Sequence, residues 1–110
     1  MGNKRMGPEL LEMVAERFKA LSDRARLSLL QELRAGPRTV NELVEATGMG
    51  QANVSRHLAQ LFSNGLVGRE RDGVYVRYEL ADKDVLKLCE LVCGRIETEL
   101  LEKRKVVAGR

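Results

Sequence analysis

The spacing of apolar residues changes twice along this chain, and that change limits the folds open to it. Up to residue 63, apolar side chains recur every three or four positions, as they do on one face of a helix. Val74, Val76, Tyr78 and Leu80 then follow a two-residue repeat, which is typical of a strand. The helical repeat returns after Asp82 and continues to about residue 105. The sequence therefore predicts a run of helices, one small β element and a long final helix.

Proline, glycine and capping residues predict the bounds of the first two helices. Pro8 suits the first position of a helix over 9–21. Ser22-Asp23 then supplies a cap for a second helix, which ends before Gly36-Pro37.

A tight turn joins the third and fourth predicted helices. The third helix starts with the T-x-x-E capping box of Thr39 and Glu42. Gly48-Met49-Gly50 interrupts the helical repeat, and the fourth helix covers 51–63. Short helices on either side of such a turn, here at about 39–63, are typical of a helix-turn-helix.

The β element completes a winged domain. Asp72-Gly73 is a strong signal for a two-residue loop, so that 66–80 is expected to form a β-hairpin. The expected fold class is mainly α with a small β-hairpin: a winged helix-turn-helix of five helices and a two-stranded wing, in a single domain over 1–110. Domains of this kind read the major groove of DNA.

The fourth helix has one apolar and one polar face. The side chains expected to face the core are Val54, Leu58, Leu61 and Phe62. The opposite side carries Asn53, Arg56 and Gln60, flanked by Ser55 and His57, and these are groups that reach base edges and phosphates.

Acidic residues are absent around this helix. No Asp or Glu occurs from Ala46 to Arg69, where the acid content of the whole chain predicts about three or four. Because a carboxylate would repel phosphates, this stretch predicts a surface that binds nucleic acid. The net charge of +3 is compatible with that partner.

The predicted wing carries charges of both signs. Its arginines are Arg69, Arg71 and Arg77, and its acids are Glu70, Asp72 and Glu79. One interpretation is an ordinary solvated ribbon, because these charges nearly cancel. The other is that the arginines contact a phosphate or a minor groove. The preceding helix-turn-helix favours the second interpretation.

The final helix, at about 82–105, is longer than a globule of this size needs, since it spans roughly 35 Å. Leu88 and Val92 are expected to face the chain's own core. An apolar stripe with heptad-like spacing runs beside them: Leu86, Cys89, Cys93, Ile96 and Leu100. Such a stripe predicts a homodimer, with help from the first helix. Two copies would place two fourth helices on successive major grooves of a pseudo-palindromic site in double-stranded DNA.

Three stretches resemble the ArsR/SmtB family of winged-helix repressors. ALSDRARL at 20–27 is similar to the opening motif of that family, and NVSRHLAQL at 53–61 is similar to its recognition helix. Gly65-Leu66-Val67 with GVYVRY at 73–78 is similar to its wing, and the likeness covers about 10–100. It implies a cytoplasmic homodimer that represses an operator until an inducer, commonly a metal ion or oxidant, loosens binding. It also implies DNA contacts at Gln51, Asn53, Ser55, Arg56 and His57.

The resemblance does not carry an inducer site over to this chain. The third helix lacks the cysteines of arsenite-sensing members, and Arg95 stands where zinc-binding members place a ligand. Cys89 and Cys93 remain, and as thiolates they could bind arsenite or a soft metal ion, or cross-link the subunits on oxidation. The alternative is that both cysteines only pack in the dimer seam, in a regulator without metal or redox sensing.

Composition argues against other classes of protein. His57 is the only histidine, so an acid–base catalytic set is not expected, and we predict that the chain is not an enzyme. No apolar run exceeds three residues, so no membrane partner is expected. The alternative from another class is a protein-interaction module, which would show little salt dependence with DNA.

Overall fold

Five α-helices and a three-stranded antiparallel sheet are formed by residues 5–108, the part of the chain that the computed structural model describes. In chain order the elements are α1 (Pro8–Leu21), α2 (Arg24–Glu32), a 3-10 turn (Leu33–Ala35), β1 (Arg38–Thr39), α3 (Val40–Thr47), α4 (Gln51–Ser63), β2 (Val67–Asp72), β3 (Tyr75–Leu80) and α5 (Asp84–Ala108). This architecture confirms the predicted winged helix-turn-helix. The chain ends that the expected domain included, 1–4 and 109–110, lie outside the described residues. None of the described helices combines the length and apolar character that crossing a membrane requires.

The hydrophobic core lies between α2, α3, α4 and the base of the wing. Its fully buried side chains come from all of these elements: Leu29, Leu30, Leu33, Leu43, Val54, Leu58, Leu61, Leu66 and Val67. Each such side chain contributes about 1.5–3 kcal/mol relative to an exposed one. Because α3 and α4 both bury their apolar faces here, the core fixes the angle between them.

The wing has three strands, where the sequence predicted two. Strand β3 is central and pairs with β2 on one edge, from Val67 opposite Leu80 to Asp72 opposite Tyr75. On its other edge β3 pairs with the two residues of β1. The third strand exists because Thr39, the N-cap of α3, has the extended backbone that this position requires (φ −79°, ψ 166°).

The hairpin loop is one position later than predicted. Asp72 pairs with Tyr75, so the two loop residues are Gly73 and Val74 rather than Asp72 and Gly73. Gly73 has φ +64°, and Val74 has no positive φ. A positive φ at the first loop position alone is the pattern of a type II′ turn, in which glycine stands first.

Helix α5 leaves the domain soon after it begins. The Asp82 carboxylate accepts a hydrogen bond from the Asp84 N–H at 3.0 Å, two residues into the predicted helix. Leu88 and Cys89 pack against the core, but Val92 is 54% exposed, so its predicted place in the chain's own core is wrong. The helix has passed the edge of the core by that point. The radius of gyration of 17.2 Å accordingly exceeds the roughly 13 Å of a compact chain of this length.

Two carboxylates hold the starts of α2 and α3. The Arg26 N–H donates to Asp23 Oδ1 at 3.2 Å and keeps the pKa of that carboxyl below its usual range. In the predicted capping box, the Thr39 N–H donates to Glu42 Oε1 at 2.8 Å and the Glu42 N–H donates to Thr39 Oγ1 at 3.2 Å. The bond from the Thr39 backbone, with the nearby charge of Arg77, lowers the pKa of Glu42.

Acid should weaken the fold through these caps. A carboxyl whose pKa is lowered by folding stabilises the protein above its unfolded pKa, and that stabilisation is lost as the pH falls through the folded pKa. We expect the urea midpoint of unfolding to be constant near neutral pH and to fall from about pH 5 downwards. Glu42→Gln keeps an oxygen acceptor for the Thr39 N–H without a titrating group, so its midpoint should depend less on pH. Glu45→Gln, an exposed position of the same helix, is the control and should follow the wild type. If the urea midpoint changes with pH equally in the wild type and in Glu42→Gln, this role of Glu42 is contradicted.

Candidate nucleic-acid interface

A three-residue turn joins α3 to α4. Gly48 ends α3 with φ +75°, and its N–H donates to the Val44 carbonyl at 2.8 Å. A side chain at this left-handed position would be strained, which explains the glycine. Gly50 is extended and forms the N-cap of α4. Because both helices pack on one core, the far face of α4 is left open to solvent.

That far face, the outer face of α4, is polar and contains no carboxylate. Its exposed polar side chains are Gln51, Asn53, Ser55, Arg56, Gln60 and Ser63. Arg56 Nη2 donates to Asn53 Oδ1 at 3.0 Å, so these two side chains form one polar group. The face thus combines amide, hydroxyl and guanidinium groups, which are the types that bind base edges and phosphates.

His57 does not lie on this face, and the prediction that it does is wrong. The residue is only 7% exposed, and its Nδ1 lies 3.3 Å from Arg26 Nη1 on α2. The position follows Val54 by three residues and precedes Leu61 by four, which is the spacing of the buried side of the helix. This spacing was visible in the sequence, but the polarity of histidine obscured it.

Phe62 shows the opposite error. It was predicted to face the core, yet it is 39% exposed near the end of α4. The guanidinium of Arg69, on β2, lies 4.2 Å from the centre of its ring. This cation–π contact attaches the wing to the fourth helix.

The hairpin register sorts the charges of the wing onto two faces. Directly opposed residues share a face, so one face carries Arg69, Arg71, Val76 and Tyr78. The other face carries Glu70, Asp72, Tyr75 and Arg77. Arg77 lies 3.2 Å from the Asp72 carboxylate and 3.7 Å from that of Glu42. The basic face is therefore the one that adjoins α4, through the contact of Arg69.

Apolar side chains are exposed on α1 and α5. Of the predicted stripe, Leu86 and Cys89 are half-buried, whereas Cys93, Ile96 and Leu100 are exposed. On α1 the exposed apolar residues include Leu10, Met13 and Phe18. An open cavity of about 360 Å³ lies between the two helices, and Val14, Leu21, Val85 and Leu88 are among its lining residues. Exposed apolar residues that extend over two neighbouring helices are typical of an interaction site.

The two cysteines differ in their surroundings. Cys89 packs against the core, whereas Cys93 is exposed, with Sγ 3.8 Å from Glu97 Oε1. Both are free thiols. Within residues 5–108, no three His, Cys, Asp or Glu side chains of a single chain come together as a metal-binding group.

The fold and this face define a winged helix-turn-helix domain with a polar, exposed fourth helix. A profile of the bacterial regulatory protein, arsR family, matches residues 23–68. The chain is 36% identical over 88 residues to the arsenical resistance operon repressor of Bacillus subtilis, an alignment that takes in 77% of this chain and 84% of that protein. The chain therefore belongs to the ArsR family, as its motifs predicted.

Two further comparisons extend this relationship. A probable mercury resistance operon repressor of Streptomyces lividans is 42% identical over 80 residues, which are 73% of this chain and 64% of that protein. A homodimeric winged helix-turn-helix DNA-binding domain of Mycobacterium bovis, from a possible ArsR-family transcriptional regulator, has a TM-score of 0.77 at 36% identity, over 91% of this chain and 94% of that one. The chain spans between 37% and 64% of the length of the first curated relatives it matches.

Proposed function

We propose that this protein is a homodimeric, DNA-binding transcriptional repressor of the ArsR type and not an enzyme. The observation that carries the proposal is the outer face of α4, which is exposed, polar and free of carboxylates. The relatives from Bacillus subtilis and Streptomyces lividans are named as operon repressors, which supports the same function here.

In the proposed complex, α4 lies in the major groove of double-stranded DNA. Gln51, Asn53, Ser55 and Arg56 supply the contacts to bases and phosphates, because all four polar side chains are exposed. Arg69 and Arg71 extend this surface along the basic face of the wing. Gln60 and Arg77 contribute less, because Gln60 already accepts a hydrogen bond from Arg26, and Arg77 is paired with Asp72 and Glu42.

The exposed apolar residues of α1 and α5 are proposed to pack against the same residues of a second copy. Leu86, Cys89, Cys93, Ile96 and Leu100 form the seam on α5, with the half-buried members at its edge. The extended shape of the single chain supports this, since α5 projects beyond the core that it would otherwise cover. A two-fold dimer presents two α4 helices, which suits a pseudo-palindromic operator.

Arg56→Ala tests the DNA-binding face. With an operator selected from random DNA fragments, we expect fluorescence anisotropy to show a loss of affinity of about 10- to 100-fold, the range for one lost side-chain contact to a base. Arg34→Ala is the matched control, because Arg34 is an exposed arginine that pairs at 3.2 Å with Glu90 on α5 rather than with a residue of α4. The control should bind like the wild type, and equal affinities for Arg56→Ala and wild type would contradict the assignment.

Salt dependence separates this proposal from a protein-interaction module. Binding through phosphates releases counterions, so the logarithm of the association constant should fall steeply as the logarithm of the salt concentration rises. A winged domain that binds only proteins would show a flat, weak response to DNA in the same titration.

Ile96→Glu tests the seam on α5. A buried charge at a dimer interface lacks solvation, so sedimentation equilibrium should show the variant shifted from dimer to monomer. Leu91→Glu is the matched control, since Leu91 is an exposed leucine on the other side of the same helix. If Ile96→Glu and Leu91→Glu stay as dimeric as the wild type, the seam does not lie at these residues.

We further propose that Cys93, with Cys89 four residues earlier, forms a thiol site for an inducer such as arsenite or a soft metal ion. The supporting observation is that Cys93 is exposed on the surface assigned to the dimer seam, so that two copies can bring several thiols together. Binding there would change the packing of the seam and thereby the spacing of the two α4 helices.

Serine variants test this site. Arsenite, zinc ions or diamide, a thiol oxidant, should lower the operator affinity of the wild type, and Cys93→Ser should remove that response. Cys89→Ser should weaken the response if both thiols take part. Equal release of DNA from wild type and the double variant would show that the cysteines only pack.

A further inference from the structure

We infer that Arg26 is a positioning residue for operator recognition: its one guanidinium connects the end of α1 to two side chains of α4. The inference rests on the proposed DNA-binding function. Arg26 contacts the outer face at Gln60, but its own side chain is only 13% exposed and is not part of that face. It acts through the helix that carries the outer face.

On the α1 side, Arg26 binds two carbonyl groups of the last turn, and that of Lys19 also accepts from the Ser22 N–H at 3.1 Å. Nε donates to the Ala20 carbonyl at 2.6 Å, and Nη2 donates to the Lys19 carbonyl at 3.2 Å. The last four carbonyls of a helix have no partner within the helix and carry its negative dipole end. A guanidinium there adds donors to these carbonyls and is favoured by the local charge.

On the α4 side, the same guanidinium binds two residues one turn apart. Nη1 donates to Gln60 Oε1 at 2.6 Å and lies 3.3 Å from His57 Nδ1. Arginine has only donors, so this contact is a hydrogen bond in the tautomer whose Nδ1 is the acceptor. The Asp23 carboxylate, 3.8 Å from Nη1, is the acidic group that faces this cation.

These hydrogen bonds constrain the rotation of α4, which the apolar core leaves free. Leucine and valine contacts set how closely α4 packs on α2, but they are non-directional and tolerate small rotations of a helix. Hydrogen bonds from a planar fork are directional. Arg56 lies four residues before Gln60, on the same side of α4, so a rotation that broke the Gln60 bond would also move Arg56.

The arrangement also links the two proposed surfaces. Helix α1 carries Leu10, Met13 and Phe18, which we assign to the dimer interface, and Arg26 ties its last turn to α4. The side chain of Arg26 thus transmits a shift of α1 in the dimer to α4, the helix proposed to contact DNA.

The test measures specificity as well as affinity. Arg26→Met removes the donors but keeps an unbranched apolar stem. We expect the ratio of operator affinity to non-specific DNA affinity to fall by about tenfold, with non-specific binding and its salt slope unchanged, because the phosphate-binding groups remain. Arg34→Met, at an arginine outside this network, is the matched control and should keep the wild-type ratio.

A second pair of variants covers the case in which Arg26→Met does not fold. His57→Gln retains a buried acceptor for Arg26 and should keep the ratio within about threefold, whereas His57→Leu fills similar space without an acceptor and should lower it about tenfold. Circular dichroism and sedimentation verify that each variant is folded and dimeric. An unchanged ratio in folded Arg26→Met, or equal ratios in His57→Gln and His57→Leu, overturns the inference. Failure of the wild type itself to prefer any DNA sequence would instead overturn the proposed function.

Discussion

The burial of one edge of α4 is the constraint on which the rest of the structure depends. Val54, Leu58 and Leu61 are fully buried against α2 and α3, so the opposite edge of the helix must face solvent. The turn between α3 and α4 has only three residues, so the two helices stay close together on this core. The exposed polar face is therefore a consequence of core packing, and the hydrophobic effect that folds the domain also presents its proposed DNA-binding surface.

Polar contacts add direction to this packing on both sides of α4. Arg26 binds His57 and Gln60 from α2, and Arg69 stacks on Phe62 from the wing. Each arginine contacts a side chain of α4 that is not part of the apolar core. Together they connect the recognition helix to α1 and to the sheet, so that the proposed contacts are held on a supported element rather than on a mobile one.

At the other end of the molecule, the single chain leaves apolar surface exposed. The exposed apolar residues of α1 (Leu10, Met13 and Phe18) and the outer half of α5 lie outside the core, and the cavity between these helices is open. A second copy would cover this surface and place two α4 helices on one duplex. In the proposed repressor, the same long helix would serve assembly and, if the proposed thiol site at Cys93 exists, regulation.

Local sequence patterns determined most of the elements, whereas the tertiary structure decided the roles of several side chains. The T-x-x-E box, the glycines and the periodicity each act over a few residues, so they predicted α3, the turn and the wing. They could not show that His57 faces Arg26, since that partner is 31 residues away in the chain. Likewise, strand β1 depends on pairing with β3, and the sorting of the wing charges depends on the hairpin register. Contacts between distant residues are settled only when the chain packs, and no local pattern encodes them.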